Sequence, residues 1–341
     1  MPLKIDNKFD RFIFLVNPAS THVGQAERRI AELKILFPSV EVNIINTSGV
    51  DRDENIKLIR DKSALFGPRT LFCIAAGDGT ANIIIEELIK NKSISPDSRR
   101  MPILPLWGGN ANDLAYMLNG LSRLVPTRTI FTKGKVLPVH PLVCRMTDME
   151  GKTSVRIAAC YVSFGASAHA ARRLNESGHR LSKLHKLPGG RILQDASTLW
   201  NALVKAPTFE IEEAGRNRAV YERTLSNGSR MAKMYHFPVM LNQDQFYMNT
   251  LEKSNQLASA SMLSFSFMRR PSEKSLHNHT EFTITKATWG QFDGEAVRIS
   301  SGTKIHINLS ELPFYALSVN LASVKMSKPK DRKVRKAVRS A

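Results

Sequence analysis

The amino-acid sequence predicts an α/β fold in two parts, an N-terminal doubly wound parallel sheet followed by a C-terminal β-sandwich. Three observations predict it. Strand-like and helix-like runs alternate four times within the first 120 residues, as successive strand–helix units on a parallel sheet do. The run Thr70–Ala76 (TLFCIAA) is apolar throughout, as expected of a central strand covered on both faces. Beyond residue 130 the pattern changes to short β-type runs at the spacing of a sandwich or barrel.

Each element follows from local chemistry. Arg11–Val16 (RFIFLV) is β-rich and ends at Asn17-Pro18, where proline stops a strand. Residues 24–36 place Ile30, Leu33 and Leu36 on one helical face. Val40–Ile45 returns as a strand, Asp51–Arg60 as a helix, Thr70–Ala76 as a strand and Ala81–Lys90 as a helix. Ile103–Leu106 and Asn110–Leu118 complete the fourth strand–helix unit. The later β-type runs are Val136–Val143, Val155–Phe164, Arg218–Leu225, Met234–Leu241, Met262–Phe267, Glu281–Ala287, Val297–Ser300, Lys304–Leu309 and Tyr315–Asn320. One helical stretch, Ile192–Lys205, interrupts them, and residues 245–258 and 270–279 read as loops. With Pro126 and Gly134 beside the change of pattern, the domains are set at residues 1–130 and 131–322. The last strand of the second either stays there or returns to the first, and residues 323–341 form a basic tail predicted to be disordered.

Composition narrows the classes. Hydrophobic residues make up 42% of 341, enough for sizeable cores and against global disorder. No apolar run reaches the roughly 18 residues of a membrane span, and the polar start of the chain does not read as a signal peptide. Cys73, Cys144 and Cys160 sit apart in apolar runs, which predicts buried, reduced thiols in a cytoplasmic protein rather than a metal site. Lys and Arg outnumber Asp and Glu by 49 to 30, a net charge of +19 that attracts polyanions. Residues 325–341 alone hold eight basic residues against one acidic, which suits either a solubilising tail or a tether to an anionic membrane.

Three turns stand at the carboxyl ends of predicted strands, where open α/β sheets bind ligands. In Cys73–Thr80 a buried strand ends in Gly77-Asp78-Gly79 and a helix begins at once. Glycine backbone N–H groups and a helix N-terminus form a phosphate cradle. A tight turn with Asp78 as a cap explains the same residues equally well. Pro105–Asp113 repeats the logic with Gly108, Gly109 and Asn110 as the helix cap, and Asn17-Pro18-Ala19-Ser20 closes the first strand. No Gly-Lys-Ser/Thr follows any of these glycines and the first turn lacks G-x-G-x-x-G, so the cradle is neither a Walker loop nor a Rossmann fingerprint.

In that order, Asn17-Pro18, Ala76-Gly77-Asp78-Gly79-Thr80 and Gly109–Ala115 resemble the N-P, G-G-D-G-T and P-L-G-T-x-N-D-x-A signatures of the diacylglycerol kinase catalytic-domain superfamily, which includes bacterial lipid kinases and sphingosine kinases. Asp293-Gly294-Glu295 is similar to the family's D-G-E motif and Phe164-Gly165-Ala166 to its G-F-G-A segment, so the likeness runs from about residue 11 to 320. The resemblance implies an α/β domain, like those of NAD kinase and diacylglycerol kinase, that binds ATP with Mg2+, and a β-sandwich that supplies the lipid side. It implies nucleotide contacts by Asn17, Thr47, Gly77, Asp78, Gly79, Thr80, Gly109, Asn110 and Asn112, and a catalytic set of Glu295, Asp293 and Asp78 with Glu295 as the general base. Asp113 matches a position that marks the diacylglycerol-kinase-like form and is assigned to the substrate side. A carboxylate is needed because a lipid hydroxyl is a poor nucleophile. On its own Asp293-Gly294 is also an ordinary hairpin turn.

The chain departs from the pattern at Ala76 for the first glycine, Asn110 for the usual Thr, Trp107 inserted before the glycines, and Ile83 where many bacterial members have Glu. The acidic loop that holds a structural magnesium in bacterial members is not found, which leaves the metal ligands unassigned. The expected protein is a peripheral, cytoplasmic lipid kinase working at an anionic membrane surface without a specific nucleic-acid partner. Its oligomeric state stays open, a homodimer included. The alternatives are an NAD-kinase-like phosphotransferase and a non-catalytic binder of membranes or nucleic acid.

Overall fold

A computed structural model describes residues 9–18, 23–47, 51–106, 112–119, 127–177, 197–198, 200–231, 235–236, 245–252 and 276–319. The first half runs β1 (Arg11–Val16), α1 (Val23–Leu36), β2 (Glu41–Asn46), α2 (Arg52–Asp61), β3 (Thr70–Ala75), α3 (Asp78–Lys90), α4 (Pro96–Arg99), β4 (Pro102–Pro105), α5 (Asp113–Asn119), α6 (Thr127–Lys133) and β5 (Lys135–Val139). The second half contains β6 (Leu142–Thr147), β7 (Thr153–Ala158), β8 (Tyr161–Gly165), α7 (Ala166–Ser177), β9 (Phe209–Glu213), β10 (Arg216–Ser226), β11 (Arg230–Met231), β12 (Tyr235–His236), β13 (Phe246–Glu252), β14 (Leu276–His277), β15 (His279–Lys286), β16 (Thr288–Phe292), β17 (Glu295–Ile299), β18 (Thr303–Leu309) and β19 (Phe314–Ser318).

The first sheet has the order β2-β1-β3-β4-β19-β5, parallel except where β5 pairs with β19. Its central strands β3 and β4 are buried at every position because both faces are covered, whereas β2 and β5 at the edges are partly exposed. Phe12, Phe14, Leu71 and Cys73 pack with Leu33, Phe37 and Ile130 of α1, its following turn and α6. The alternate residues Ile13, Leu15, Phe72 and Ile74 pack with Ile59, Ile84, Leu88 and Met117 of α2, α3 and α5. That second core continues without a break into Ile157, Ala159, Cys160, Tyr161 and Tyr221 of the other half, so the two halves share buried surface. All three cysteines are buried and unpaired.

The second sheet is antiparallel, with the path β17-β16-β8-β10-β9-β15-β18-β6-β7 and β13 attached to β10. It encloses one interior, where Phe164, Phe209, Phe246, Phe282 and Phe292 pack with Ile284, Ile305 and Ile307. The sandwich is therefore one continuous sheet folded over its own core. Its two edge strands approach closely enough for Arg156 of β7 to meet Glu295 of β17.

Several local expectations change. Val136–Val143 is two strands in different sheets, because the chain leaves the first sheet at His140-Pro141. Val155–Phe164 is also two strands, β7 and β8, separated by a turn at Ala159-Cys160. Residues 246–252, read as loop, form β13 and pair antiparallel with β10 over Glu252 to Tyr247. Helices α6 and α7 were not expected, and α5 begins at Asp113 rather than Asn110. Residues 262–267 and most of 234–241 lie outside the described residues.

Candidate active site

Strand order reverses between β1 and β3, and the crevice beyond their carboxyl ends is where such sheets take ligands. Val16 stands opposite both Asn46 and Ala75, so Asn17, Thr47 and Ala76 leave the sheet side by side. Thr47 is buried, and both its N–H (2.8 Å) and its hydroxyl (3.4 Å) donate to the Val16 carbonyl. Three residues far apart in sequence are thereby fixed around one opening.

Helix α3 starts immediately, with Gly77 as N-cap at φ −78°, ψ 172° and no side chain capping it. Its first N–H groups lack helical partners and carry the positive end of the helix dipole toward the crevice. Gly79 is the second residue of this helix, in a first turn where alanine would fit as well, the full glycine penalty of about 1 kcal/mol belonging to helix interiors. A Cβ built there meets nothing within 4 Å. Neither backbone strain nor packing asks for glycine at 79.

Asp78 faces the next loop. Its carboxylate accepts the free N–H groups of Asp113 (2.9 Å) and Leu114 (3.2 Å), capping α5 from outside. Asn112, just before α5, is 1% exposed and holds a left-handed φ of 55°, and its carbonyl accepts the Tyr116 N–H. Burial first, then the negative charge of Asp113, push the Asp78 carboxyl up to about 7. Asp113 itself is fully buried at the start of α5. Gly109 and Asn110, with Trp107, fall outside the described residues.

The D-G-E motif is a hairpin whose side chains reach into the rest of the molecule. Asp293 (φ 48°) and Gly294 (φ 90°) make the left-handed pair of a type I′ turn joining β16 to β17. The buried Asp293 carboxylate accepts N–H bonds from Ala159 (2.6 Å), Cys160 (3.0 Å) and Tyr161 (2.9 Å), fixing the β7–β8 turn. Burial outweighs these donors and raises its carboxyl to about 7, with the Asp113 charge adding to the shift. Asp78, Asp113 and Asp293 thus feel one another's charge across the junction of the two halves.

Glu295, two residues on, takes a different direction. Its carboxylate is 29% exposed and pairs with Arg52 of α2 (2.5 Å) and Arg156 of β7 (3.4 Å). Arg52 also binds Glu86 of α3 (2.8 Å), which pairs with Lys90 (2.9 Å). The expected catalytic carboxylates therefore divide. Asp78 and Asp293 have both oxygens occupied by backbone N–H groups, while Glu295 is held by side chains at a partly open face.

Sequence reasoning missed Arg52, Arg156 and Glu222. Glu222 is fully buried and caps α7, accepting the Ser167 N–H (2.9 Å) and the hydroxyls of Ser167 (2.5 Å) and Thr224 (2.6 Å). Burial raises its carboxyl to about 7. Only Arg52 leaves a trace in sequence, as a cation in the first turn of a helix, where the dipole disfavours one.

The comparisons support a kinase-type phosphotransferase domain for the part of the chain that carries these turns. Residues 11–141 match the sequence model of the diacylglycerol kinase catalytic domain, a family that uses ATP. A solved structure of a diacylglycerol kinase from Bacillus anthracis str. Sterne is similar at 14% identity and a TM-score of 0.58, covering 93% of this chain and 99% of that one. A second structure from the same organism, provisionally described as a diacylglycerol kinase, is similar at 15% identity and a TM-score of 0.62, covering 92% and 99%. These two likenesses show the fold. No curated protein matches the chain.

Proposed function

We propose that the protein transfers the γ-phosphate of ATP to the hydroxyl of a lipid, with a diacylglycerol-like acceptor. The observation that carries the nucleotide half is Gly79, a helical glycine with open space over its missing Cβ at the uncapped start of α3. Asn17, Thr47, Gly77, Gly79 and Thr80 line the nucleotide side, with Gly109, Asn110 and Asn112 assigned there by the family signature. Asp78 and Asp113 tie the two phosphate-side loops together, and Asp113 borders the acceptor.

Among the described residues no group of His, Cys, Asp or Glu is arranged to hold a metal ion by itself. The fit is to a magnesium ion arriving with the nucleotide, held chiefly by phosphates and water, as Mg2+ commonly is in kinases. Bound there, it would offset charge on the phosphates. Glu295 is the one carboxylate of the set without backbone donors, and so is assigned as the base that accepts the acceptor's proton. Asp293 positions it by fixing the hairpin. The charge of +19 supports docking of the full chain on an anionic leaflet. Among the described residues no helix is long and apolar enough to cross a membrane.

Gly79→Ala tests the nucleotide half. Alanine is the better helix former and has room, so the variant is expected to gain up to about 1 kcal/mol of stability. It is also expected to lose the rise in melting temperature that magnesium-ATP gives the parent. An undiminished rise would remove the α3 N-terminus from the nucleotide site. Assays of phosphate transfer from ATP to diacylglycerol, ceramide, sphingosine and NAD address the acceptor, and transfer to NAD alone would overturn the lipid assignment.

A further inference from the structure

Arg52 occupies a position that its own helix does not favour. It is the first residue of α2, after the Asp51 cap whose carboxylate accepts the N–H groups of Asp53 (2.9 Å) and Glu54 (3.0 Å). A cation there opposes the helix dipole, yet its side chain is only 16% exposed and fully engaged. One guanidinium nitrogen meets Glu86 of α3 and another meets Glu295 of β17. The chain of alternating charge extends at both ends. Lys90 pairs with Glu86 and donates to the Val155 carbonyl of β7 (2.9 Å), and Arg156 of β7 meets the second oxygen of Glu295.

Five side chains thus join α2 and α3 of the first half to β7 and β17 of the second, with Arg52 as the only member that touches a carboxylate from each half. The backbone of Glu295 is already fixed by the Asp293 clamp, so the remaining freedom of Glu295 is its side chain. Arg52 and Arg156 take that freedom away. Helix α2 follows the Thr47 end of β2 directly, so the residue that aims Glu295 is carried by the element next to the nucleotide crevice.

We infer that Arg52 is a positioning residue: it aims the Glu295 carboxylate across the cleft and makes that aim depend on the placement of the nucleotide half. The inference rests on the assignment of Glu295 as the base in lipid phosphorylation. A planar fork can hold two carboxylates at once, whereas a lysine presents one point charge. A misplacement of about 1 Å in such a group costs on the order of 10²-fold in rate.

The experiment compares the full-length parent with Arg52→Gln, Arg52→Lys and Lys57→Gln, an exposed change on the same helix. The readout is phosphate transfer from magnesium-ATP to dioleoylglycerol in mixed micelles. Arg52→Gln is expected to lower kcat about 10²-fold while KM for ATP and for dioleoylglycerol stays close to the parent's. Arg52→Lys recovers part of the loss, and Lys57→Gln matches the parent. Unchanged kcat in Arg52→Gln, or a raised KM with kcat intact, overturns the positioning role. A parent that transfers nothing to dioleoylglycerol defeats the lipid assignment instead. The relay is then judged by melting temperatures of Arg52→Gln, Glu295→Gln and the double variant. Single losses that exceed the double's when summed support the pairing across the cleft, and strictly additive losses overturn it.

Discussion

Three carboxyl groups, Asp78, Asp293 and Glu222, are each raised to about 7 by burial, whereas in an unfolded chain such groups titrate near 4. Between about pH 4 and 7 the unfolded chain has released protons that the folded chain still holds. The unfolded state then binds fewer protons, so stability falls as pH rises through that window and levels off above it. Glu222 separates this effect from the cleft, because its partners Ser167 and Thr224 belong to α7 and β10. Glu222→Gln is expected to flatten the decline, measured as the change in urea midpoint between about pH 4.5 and 7. A decline as steep as the parent's would mean that Glu222 does not titrate there.

Elements were legible in proportion to how local their causes are. The central strand of the first sheet announces itself because burial on both faces leaves an almost wholly apolar run, as at Thr70–Ala75. Helix α7 was not legible: its N-terminus is capped by Glu222, 55 residues later, and nothing near Ala166 signals a start. Strand β13 hid behind Asn249 and Thr250, polar residues that still pair with Thr224 and Arg223 of β10. The break inside Val136–Val143 was written in Pro141, but which sheet each half joins depends on β19, 175 residues or more downstream. At the site, the glycine turns were visible, whereas Arg52 and Arg156 act through partners distant in sequence, Glu86 and Glu295. Gly165, at the junction of β8 and α7, shows how tightly a long-range contact inside the second half is set. It holds a φ of 101°, and a Cβ there would lie 2.4 Å from the Tyr221 carbonyl and 2.7 Å from Phe209. Gly294 has a φ of 90° with nothing nearer than 3.8 Å. In urea denaturation Gly165→Ala is expected to cost about 3 kcal/mol or more, from strain plus collision with backbone. Gly294→Ala costs about 1 kcal/mol, from strain alone. Equal costs would show that the Tyr221 and Phe209 contacts relax freely.

At the scale of the molecule, the two halves share a buried core and an ion-pair chain, and the whole carries a charge of +19. The proposed lipid acceptor would be delivered by a membrane surface, and the positive charge offers attraction as a route to it. Each Lys or Arg near an anionic leaflet contributes about 1 kcal/mol. The eight basic residues within 325–341 contribute up to about 8 kcal/mol on that scale when all of them lie within reach. Screening gives the attraction a signature, since the Debye length falls from about 10 Å at 0.1 M salt to about 3 Å at 1 M. The protein is expected to cosediment with vesicles containing phosphatidylserine at low salt, to be released as salt approaches 1 M, and to leave pure phosphatidylcholine vesicles unbound. Replacing the eight basic residues by glutamine should weaken binding to phosphatidylserine vesicles while leaving the magnesium-ATP melting shift unchanged, because the proposed nucleotide crevice lies at β1 and β3. Binding that resists salt, or that survives the replacement, would place the docking surface on apolar residues instead and remove electrostatics as the route to the acceptor.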